Sequence, residues 1–395
     1  MSKITERRSV MQRLRGNRKK KEYYFDYSLV FIVLFLLGFG LIMVYSASSY
    51  EASVSDKLGN DAAFYLKKQA VSAALGLFAM VVMSIIPYQF WERFAVPAYG
   101  VSALLILLVL TPLGYEANGA RRWLRLGMSI QPAEIAKLAM ILFMASFICN
   151  LGKRIQTNKG FMFVLCIPLP ICALVWFITE NMSSAIIIFG IAFLMLFVAS
   201  PDYKKFVAIA VVGVLAVVGF IFVFKQLEGS ELLGVRGARV LAWMDPEAYA
   251  SGKGFQTLQA LYAIGSGGIF GKGLGQSMQK LGFLPETQND MIFSIVCEEL
   301  GLFGGIAIIL MFLLLIWRFM IIANNASDLF GALLVVGVLG HIAIQAILNI
   351  AVVTNTIPNT GISLPFISYG GSSVMFLLIE IGLVLSVARG IRINE

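Results

Sequence analysis

The chain has 395 residues, of which 59% are hydrophobic and 13% charged, with a formal net charge of +9. Soluble domains carry roughly 25% charged residues, and half that share leaves too few charges to coat a water-facing surface. A soluble multidomain protein is thereby excluded, and lipid must cover much of this molecule.

Residues 1–21 hold nine Lys or Arg, including the run Arg18, Lys19, Lys20, Lys21. A nucleic-acid arm is one reading of such a run. Beside a membrane span the commoner one is a cytoplasmic anchor against anionic lipid, so residues 1–26 are placed in the cytoplasm and no nucleic-acid partner is expected.

A spanning helix needs about 20 mostly apolar residues. The first such stretch, Tyr27–Tyr50, is too long for a signal-peptide core and reads as a retained helix. Further spans are expected over Gln69–Trp91, Phe94–Tyr115, about Pro132–Leu151, Phe161–Thr179, Asn181–Pro201 and Phe206–Phe224. An eighth runs from Met291 to about Trp317. The region Leu329–Ile379 holds no Asp, Glu, Lys or Arg and is too long for one span. Pro358 and Pro365 divide it into a ninth helix, ending near Val353, and a tenth from about Ser368 to Val387. The predicted fold is all-α: a polytopic membrane protein with about ten transmembrane helices over 27–389, a large extracellular loop at 225–290 before helix eight, and a cytoplasmic tail at 390–395.

The basic tail puts the N-terminus inside, and ten spans return the C-terminus to the same side. The connections expected in the cytoplasm are basic, with Arg93; Lys153, Arg154 and Lys159; Lys204 and Lys205; and Arg318. One outside connection breaks the pattern: residues 116–131 hold Arg121, Arg122 and Arg125. Arginines on that side suggest an anionic partner; a plain topology error or interfacial anchoring is the alternative. The 225–290 loop is long enough to be functional, and short amphipathic helices are expected in it. Its segment Gly271-Lys272-Gly273-Leu274-Gly275 has the look of a phosphate loop. With no strand before it and no Gly-Lys-Ser/Thr after it, flexible turns are the better reading.

The cysteines, Cys149, Cys166, Cys172 and Cys297, lie in or beside apolar runs without metal-ligand spacing, and His341 is the one histidine. They read as small apolar packing residues rather than a zinc site or disulfide framework.

Three groups of residues can carry chemistry. Asp290, in Leu284-Pro285-Glu286-Thr287-Gln288-Asn289-Asp290, lies at the outer mouth of helix eight. It can cap the helix dipole or serve as a general base. Glu298 lies about 12 Å deeper on the same helix and Glu299 on the opposite face, so neither forms a close pair with Asp290. They are open to a functional role or to helix–helix hydrogen bonding. Glu134 and Lys137, three residues apart, share one helix face, as a structural ion pair or as part of a substrate pathway. Near them in sequence stands Gly119-Ala120-Arg121-Arg122-Trp123, where the arginines suit phosphate oxygens and the indole suits an interface belt.

Together these segments resemble the shape, elongation, division and sporulation (SEDS) family, which includes FtsW, RodA and SpoVE. The matching stretches are GARRWLRLGMSIQPAEIAKL at 119–138, GKGFQTLQALYAIGSGGIFGKGLGQS at 252–277, LPETQNDMIFSIVCEELG at 284–301 and PNTGISLPFISYGGSS at 358–373. The resemblance implies a peptidoglycan glycosyltransferase that polymerises lipid II into glycan strands during division or cell-wall growth. It makes Asp290 the catalytic residue and puts Trp123, Glu134 and Lys137 on family motif positions; with Arg121, Arg122 and Glu286 these are the candidate substrate contacts. It further implies a class B penicillin-binding protein as partner, other divisome or elongasome membrane proteins, and a multi-pass place in the bacterial cytoplasmic membrane with the active site outside. The long basic tail leans towards the FtsW-like division members. There are departures: the family's Asp before helix six is Asn181 here, and the Lys before Gly in its Pro-x-x-Gly segment is Thr360.

The implied chemistry is one inverting displacement, with Asp290 taking the proton of the acceptor hydroxyl. The pyrophosphate leaving group needs cations, from arginines, Lys137 or a divalent ion such as Mg²⁺ or Mn²⁺, for which the sequence shows no dedicated cage. The rival reading is a lipid II flippase. A flippase predicts key charges through the depth of the bundle, a transferase at its outer mouth, and the placement of Asp290, Arg121, Arg122 and Lys137 favours the enzyme.

Overall fold

The computed structural model describes residues 25–117, 120–126, 128–226, 240–252 and 254–391. Apolar runs become helices because a backbone that meets lipid must satisfy its own hydrogen bonds. In chain order the helices are α1 (Tyr27–Val54), α2 (Phe64–Ile85), a single turn α3 (Gln89–Glu92), α4 (Ala95–Leu108), α5 (Pro132–Leu151), α6 (Asn158–Cys166), α7 (Leu169–Ile178), α8 (Met182–Ala199), α9 (Tyr203–Gln226), α10 (Phe255–Gly267), α11 (Ile292–Asn324), α12 (Leu329–Val353) and α13 (Gly371–Arg389).

Among the described residues eight segments are long and apolar enough to cross a membrane: α1, α2, α5, the stretch Asn158–Ile178 formed by α6 and α7, α8, α11, α12 and α13. The shorter α4 and the 24-residue α9 stand where the third and seventh spans are expected. The chain is a multi-pass, helical membrane protein. Local chemistry moves the ends. Pro87 follows the end of α2, and Pro168 divides the fifth span into two pieces. The turn around Pro112 stops α4 short of the predicted Tyr115.

Beyond α4 the chain does something the apolar pattern did not indicate. Gly114–Ala117 (β1), Ala120–Leu126 (β2) and Met128–Ile130 (β3) form an antiparallel sheet in the order β1-β2-β3, with Tyr115 opposite Trp123 and Arg125 opposite Ser129.

Helices α12 and α13 are the most enclosed, and α5 lies against both. Their facing residues Ile141, Leu334, Val338, Leu377 and Ile381 are buried. Helix α13 packs along α2, and a Cβ at Gly382 would lie 2.6 Å from the Met80 carbonyl, so a small residue is what lets these backbones meet. The outer faces carry Phe31, Phe78, Phe177, Val212 and Leu313, an apolar exterior suited to lipid. The expected amphipathic helix in the long connection is α10, which packs on α11 through Leu258, Ala260 and Ala263.

Helix α11 is broken at Gly301, whose φ of +68° is left-handed. The break frees the carbonyls of Glu298 and Glu299, which accept from Lys272 N–H (3.0 Å) and Gly273 N–H (2.9 Å). The Leu302 and Phe303 N–H groups donate back to Gly268 and Ile269. The Gly-Lys-Gly segment is therefore a splice onto a broken helix, its backbone donors already used.

Candidate functional site

Two loops at one end of the bundle build the site: residues 284–291 before α11, and 354–370 between α12 and α13. Ser368 Oγ donates to the Asn289 carbonyl (2.6 Å), and Tyr369 N–H donates to the Gln288 carbonyl (2.8 Å). Helix α2 grips the second loop through Gln69, whose amide donates to Ser368 O and accepts from Gly370 N–H, both at 3.1 Å. Helix α1 holds the first loop through Thr287 Oγ1, which donates to Ala47 O at 2.9 Å. Asn349 on α12 joins the two loops: its Nδ2 donates to Asp290 O (2.8 Å) and Ile362 O (2.7 Å). Burial raises the Tyr369 phenol above its ordinary range, with Tyr115 nearby adding to the effect.

Asp290 is 9% exposed, and its Oδ2 lies 3.7 Å from where a Cβ on Gly361 would stand. The carboxylate thus faces the tight turn at Gly361 (φ +67°). Asp290 directly precedes Met291, the N-cap of α11, which carries no side-chain cap hydrogen bond. Glu286 accepts from Asn289 Nδ2 within the same loop. Its φ of +57° is a sparsely populated conformation for a residue with a side chain, held by Asn289 N–H donating to its carbonyl at 3.0 Å.

Glu134 and Lys137 form the ion pair that their spacing suggests, at 2.8 Å, and both are buried. Glu134 also accepts from Ser373 Oγ (3.3 Å). Lys137 donates to Gln345 Oε1 (3.2 Å), and Gln345 Nε2 donates to Ser363 O (3.0 Å). Ser363 is two residues past Gly361, so the pair and Asp290 are tied to one turn.

The arginine segment is held differently. Arg121 donates to the carbonyls of Thr111 (2.9 Å) and Gly114 (3.0 Å), fastening β2 to the end of α4. Arg122 donates to the carbonyls of Thr179 and Glu180, both at 3.1 Å. Trp123 is half-buried beside Tyr115 in the sheet. Arg125 stacks over the Tyr115 ring at 4.7 Å. Arg121 and Arg122 thus brace the mouth of the bundle through backbone carbonyls.

Glu298 and Glu299 anchor the long connection. Lys272 pairs with Glu298 (2.6 Å) and Lys280 with Glu299 (2.8 Å), and Ser46 Oγ donates to Glu299 as well. The two departures fit quietly into this frame. Asn181 accepts from Ser184 N–H as the N-cap of α8, and Ser183 Oγ donates to the Thr360 carbonyl. Among the described residues no three His, Cys, Asp or Glu side chains gather closely enough to hold a metal ion. Among the described residues, then, no side-chain cluster stands ready for Mg²⁺ or Mn²⁺.

The sequence reading did not single out Asn349, Gln345, Gln69 or Ser368. Their signal was weak: neutral polar residues inside runs without charge, with Gln345 and Asn349 one helical turn apart.

Fold and site define a multi-pass membrane protein with a buried carboxylate at one mouth of the bundle. The chain belongs to the SEDS family: residues 27–393 match the FtsW/RodA/SpoVE profile, described as a cell cycle protein. It is 40% identical over 367 residues to stage V sporulation protein E of Bacillus subtilis (strain 168), covering 92% of this chain and 97% of that one. It is 38% identical over 387 residues to a "Probable peptidoglycan glycosyltransferase FtsW" of Trichlorobacter lovleyi, covering 97% and 98%. Among solved structures it resembles a chain from a peptidoglycan synthase complex described as coordinating polymerization and crosslinking (TM-score 0.73, 27% identity, 92% and 98% covered). It also resembles the rod shape determining protein RodA of Thermus thermophilus (TM-score 0.67, 27% identity, 94% and 98% covered).

Proposed function

We propose that the chain is a peptidoglycan glycosyltransferase that polymerises lipid II, with Asp290 as general base. The observation that carries this reading is the Asp290 carboxylate facing the Gly361 turn in a fold shared with SEDS proteins. In the proposed step the acceptor hydroxyl gives its proton to Asp290, and its oxygen attacks the anomeric carbon of the donor. The bond from that carbon to the phosphate oxygen breaks, and its electron pair leaves with the polyprenyl pyrophosphate. Attack from the face opposite the leaving group turns an α-linked donor into a β-1,4 product. Lys137, tied to the same turn through Gln345 and Ser363, is the cation assigned to the leaving group.

The end of the bundle that carries Asp290 is proposed to face outside. At the opposite end stand Arg93, Lys153, Arg154, Lys159, Lys204, Lys205 and Arg318, as the bias of cytoplasmic loops towards Lys and Arg requires. A class B penicillin-binding protein, supplying transpeptidation, is the proposed partner, within the divisome or elongasome. Translocation of lipid II would call for charge along a passage through the bundle. The ionisable groups at mid-depth of α12 and α13, His341 and Glu380, are fully buried against each other, which favours the transferase.

Asp290→Asn keeps shape and hydrogen-bonding capacity but removes basicity. Purified protein with lipid II in detergent should lose roughly 10²–10⁴-fold in polymerisation with its thermal stability unchanged. Near-normal glycan synthesis by this variant would sink the general-base assignment.

A further inference from the structure

Helix α12 carries three buried polar residues at one-turn intervals: His341, Gln345 and Asn349. Spacing of four puts them on one face. Asn349 and Gln345 hold the turn beside Asp290, as described above. His341 lies a turn deeper, midway along the helix. Its Nε2 is 3.0 Å from Gln345 Oε1, and its Nδ1 is 2.8 Å from Glu380 Oε2 on α13. All three side chains are within 2% of full burial, and Glu380 is fully buried. Ionisable residues at this depth are costly unless they have a task.

The donor and acceptor roles in this chain of contacts can be deduced. The Ser363 carbonyl can only accept, so the atom of Gln345 that faces it is the amide nitrogen. Oε1 of Gln345 must then be the atom facing Lys137 and His341. Lys137 donates to it. Two acceptors cannot share a 3.0 Å contact, so His341 Nε2 must also carry a proton. One further proton then lies between Nδ1 and Glu380 Oε2, on either atom. The other oxygen of Glu380 meets no hydrogen-bond partner among the described residues, so His341 is the group this carboxyl serves.

We propose that His341 and Glu380 are positioning residues for Lys137: Glu380 holds His341 as an Nε2–H donor, His341 fixes the rotamer of Gln345, and Gln345 thereby holds both the lysine and the 361–363 turn. Without Glu380 the neutral imidazole is free to carry its proton on Nδ1. The bare Nε2 would then face Gln345 Oε1, the amide would turn away, and Lys137 and Ser363 would each lose a partner. The kinetic consequence rests on the glycosyltransferase reading; the tautomer does not.

His341 is the one histidine of the chain, so ¹⁵N-histidine labelling of protein without a histidine tag gives a single imidazole. In detergent its ¹⁵N spectrum should show a protonated Nε2. A neutral imidazole protonated on Nδ1 overturns the proposal without any variant. Two substitutions test the consequence. In Glu380→Gln the new amide donates to Nδ1, preserves the Nε2–H form and should keep kcat for lipid II polymerisation within about twofold of wild type. Glu380→Leu offers no donor and should lower kcat about tenfold, the loss of one hydrogen bond to a charged group, with KM nearly unchanged. Activity is expressed per folded protein. Wild-type kcat in folded Glu380→Leu would show a packing role only and refute the proposal. Should that variant not fold, His341→Phe, which fills the space without a donor, is expected to show the same fall in kcat, and wild-type kcat there refutes it equally. Absence of polymer from the wild-type protein would instead defeat the glycosyltransferase reading, leaving the spectrum to decide the tautomer.

Discussion

Lys137 illustrates how far one buried charge can reach. Its ammonium is shared between Glu134 and Gln345, and the pair is almost closed to solvent. Exchanging the two charges is the test that their spacing invites, but Gln345 spoils it: a carboxylate at 137 would meet the oxygen Oε1. Neutralising both is cleaner. Lys137→Met alone strands the Glu134 carboxylate and should destabilise the protein by about 3–5 kcal/mol. The double variant Glu134→Gln with Lys137→Met leaves no stranded charge, keeps an acceptor for Ser373, and should recover most of the lost thermal stability. If Lys137 meets the pyrophosphate, the recovered protein stays unable to polymerise lipid II. A stable double variant that polymerises like wild type would make the pair architecture alone.

At the scale of elements, the break in α11 is the feature with most leverage. A Cβ on Gly301 would stand 2.4 Å from both Gly271 N and Ile269 O, at a φ that side chains disfavour. Gly301→Ala should therefore cost at least ~2 kcal/mol and loosen residues 268–273, with faster hydrogen exchange at Lys272 and Gly273. Gly265→Ala is the control: it lies in α10 with open space at its Cβ, and should leave exchange unchanged. Equal exchange in both variants would mean that the splice does not depend on the break. Such a device is not legible in the sequence, because it depends on which carbonyls a broken helix releases and which loop lies beside them. The spans themselves were legible, since a charge-free run of that length has few other fates. The sheet was missed although Ala120 to Arg125 shows alternation, with Ala120 and Leu124 buried and Arg121 and Arg125 exposed. The positions of the arginines were read as charge, whereas pairing with β1 and β3 decides them. Asp290, Glu134 and Lys137 stood out because charge is rare in apolar surroundings. Gln345 and Asn349 did not, because their partners become visible only when α12 crosses α5 and the 354–370 loop.

For the whole molecule the decisive quantity is orientation. Arg93, Lys153, Arg154, Lys159, Lys204, Lys205 and Arg318 stand at one end, while Asp290, the sheet with its own Arg121, Arg122 and Arg125, and the long connection gather at the other. The proposed chemistry needs the second end outside, where nascent glycan is laid down. Ser251 is exposed in the long connection and suits a single-cysteine test; Ser230, in the same connection, lies outside the described residues. The native Cys149, Cys166, Cys172 and Cys297 are first replaced by alanine. In this background Ser251→Cys should react with an impermeant maleimide added to intact spheroplasts. Lys153→Cys, past the far end of α5 and exposed, should react only after lysis. The reverse pattern would put Asp290 in the cytoplasm, on the wrong side for polymerising an exported precursor. It would also mean that the seven Lys and Arg named for the other end had been translocated against the usual bias.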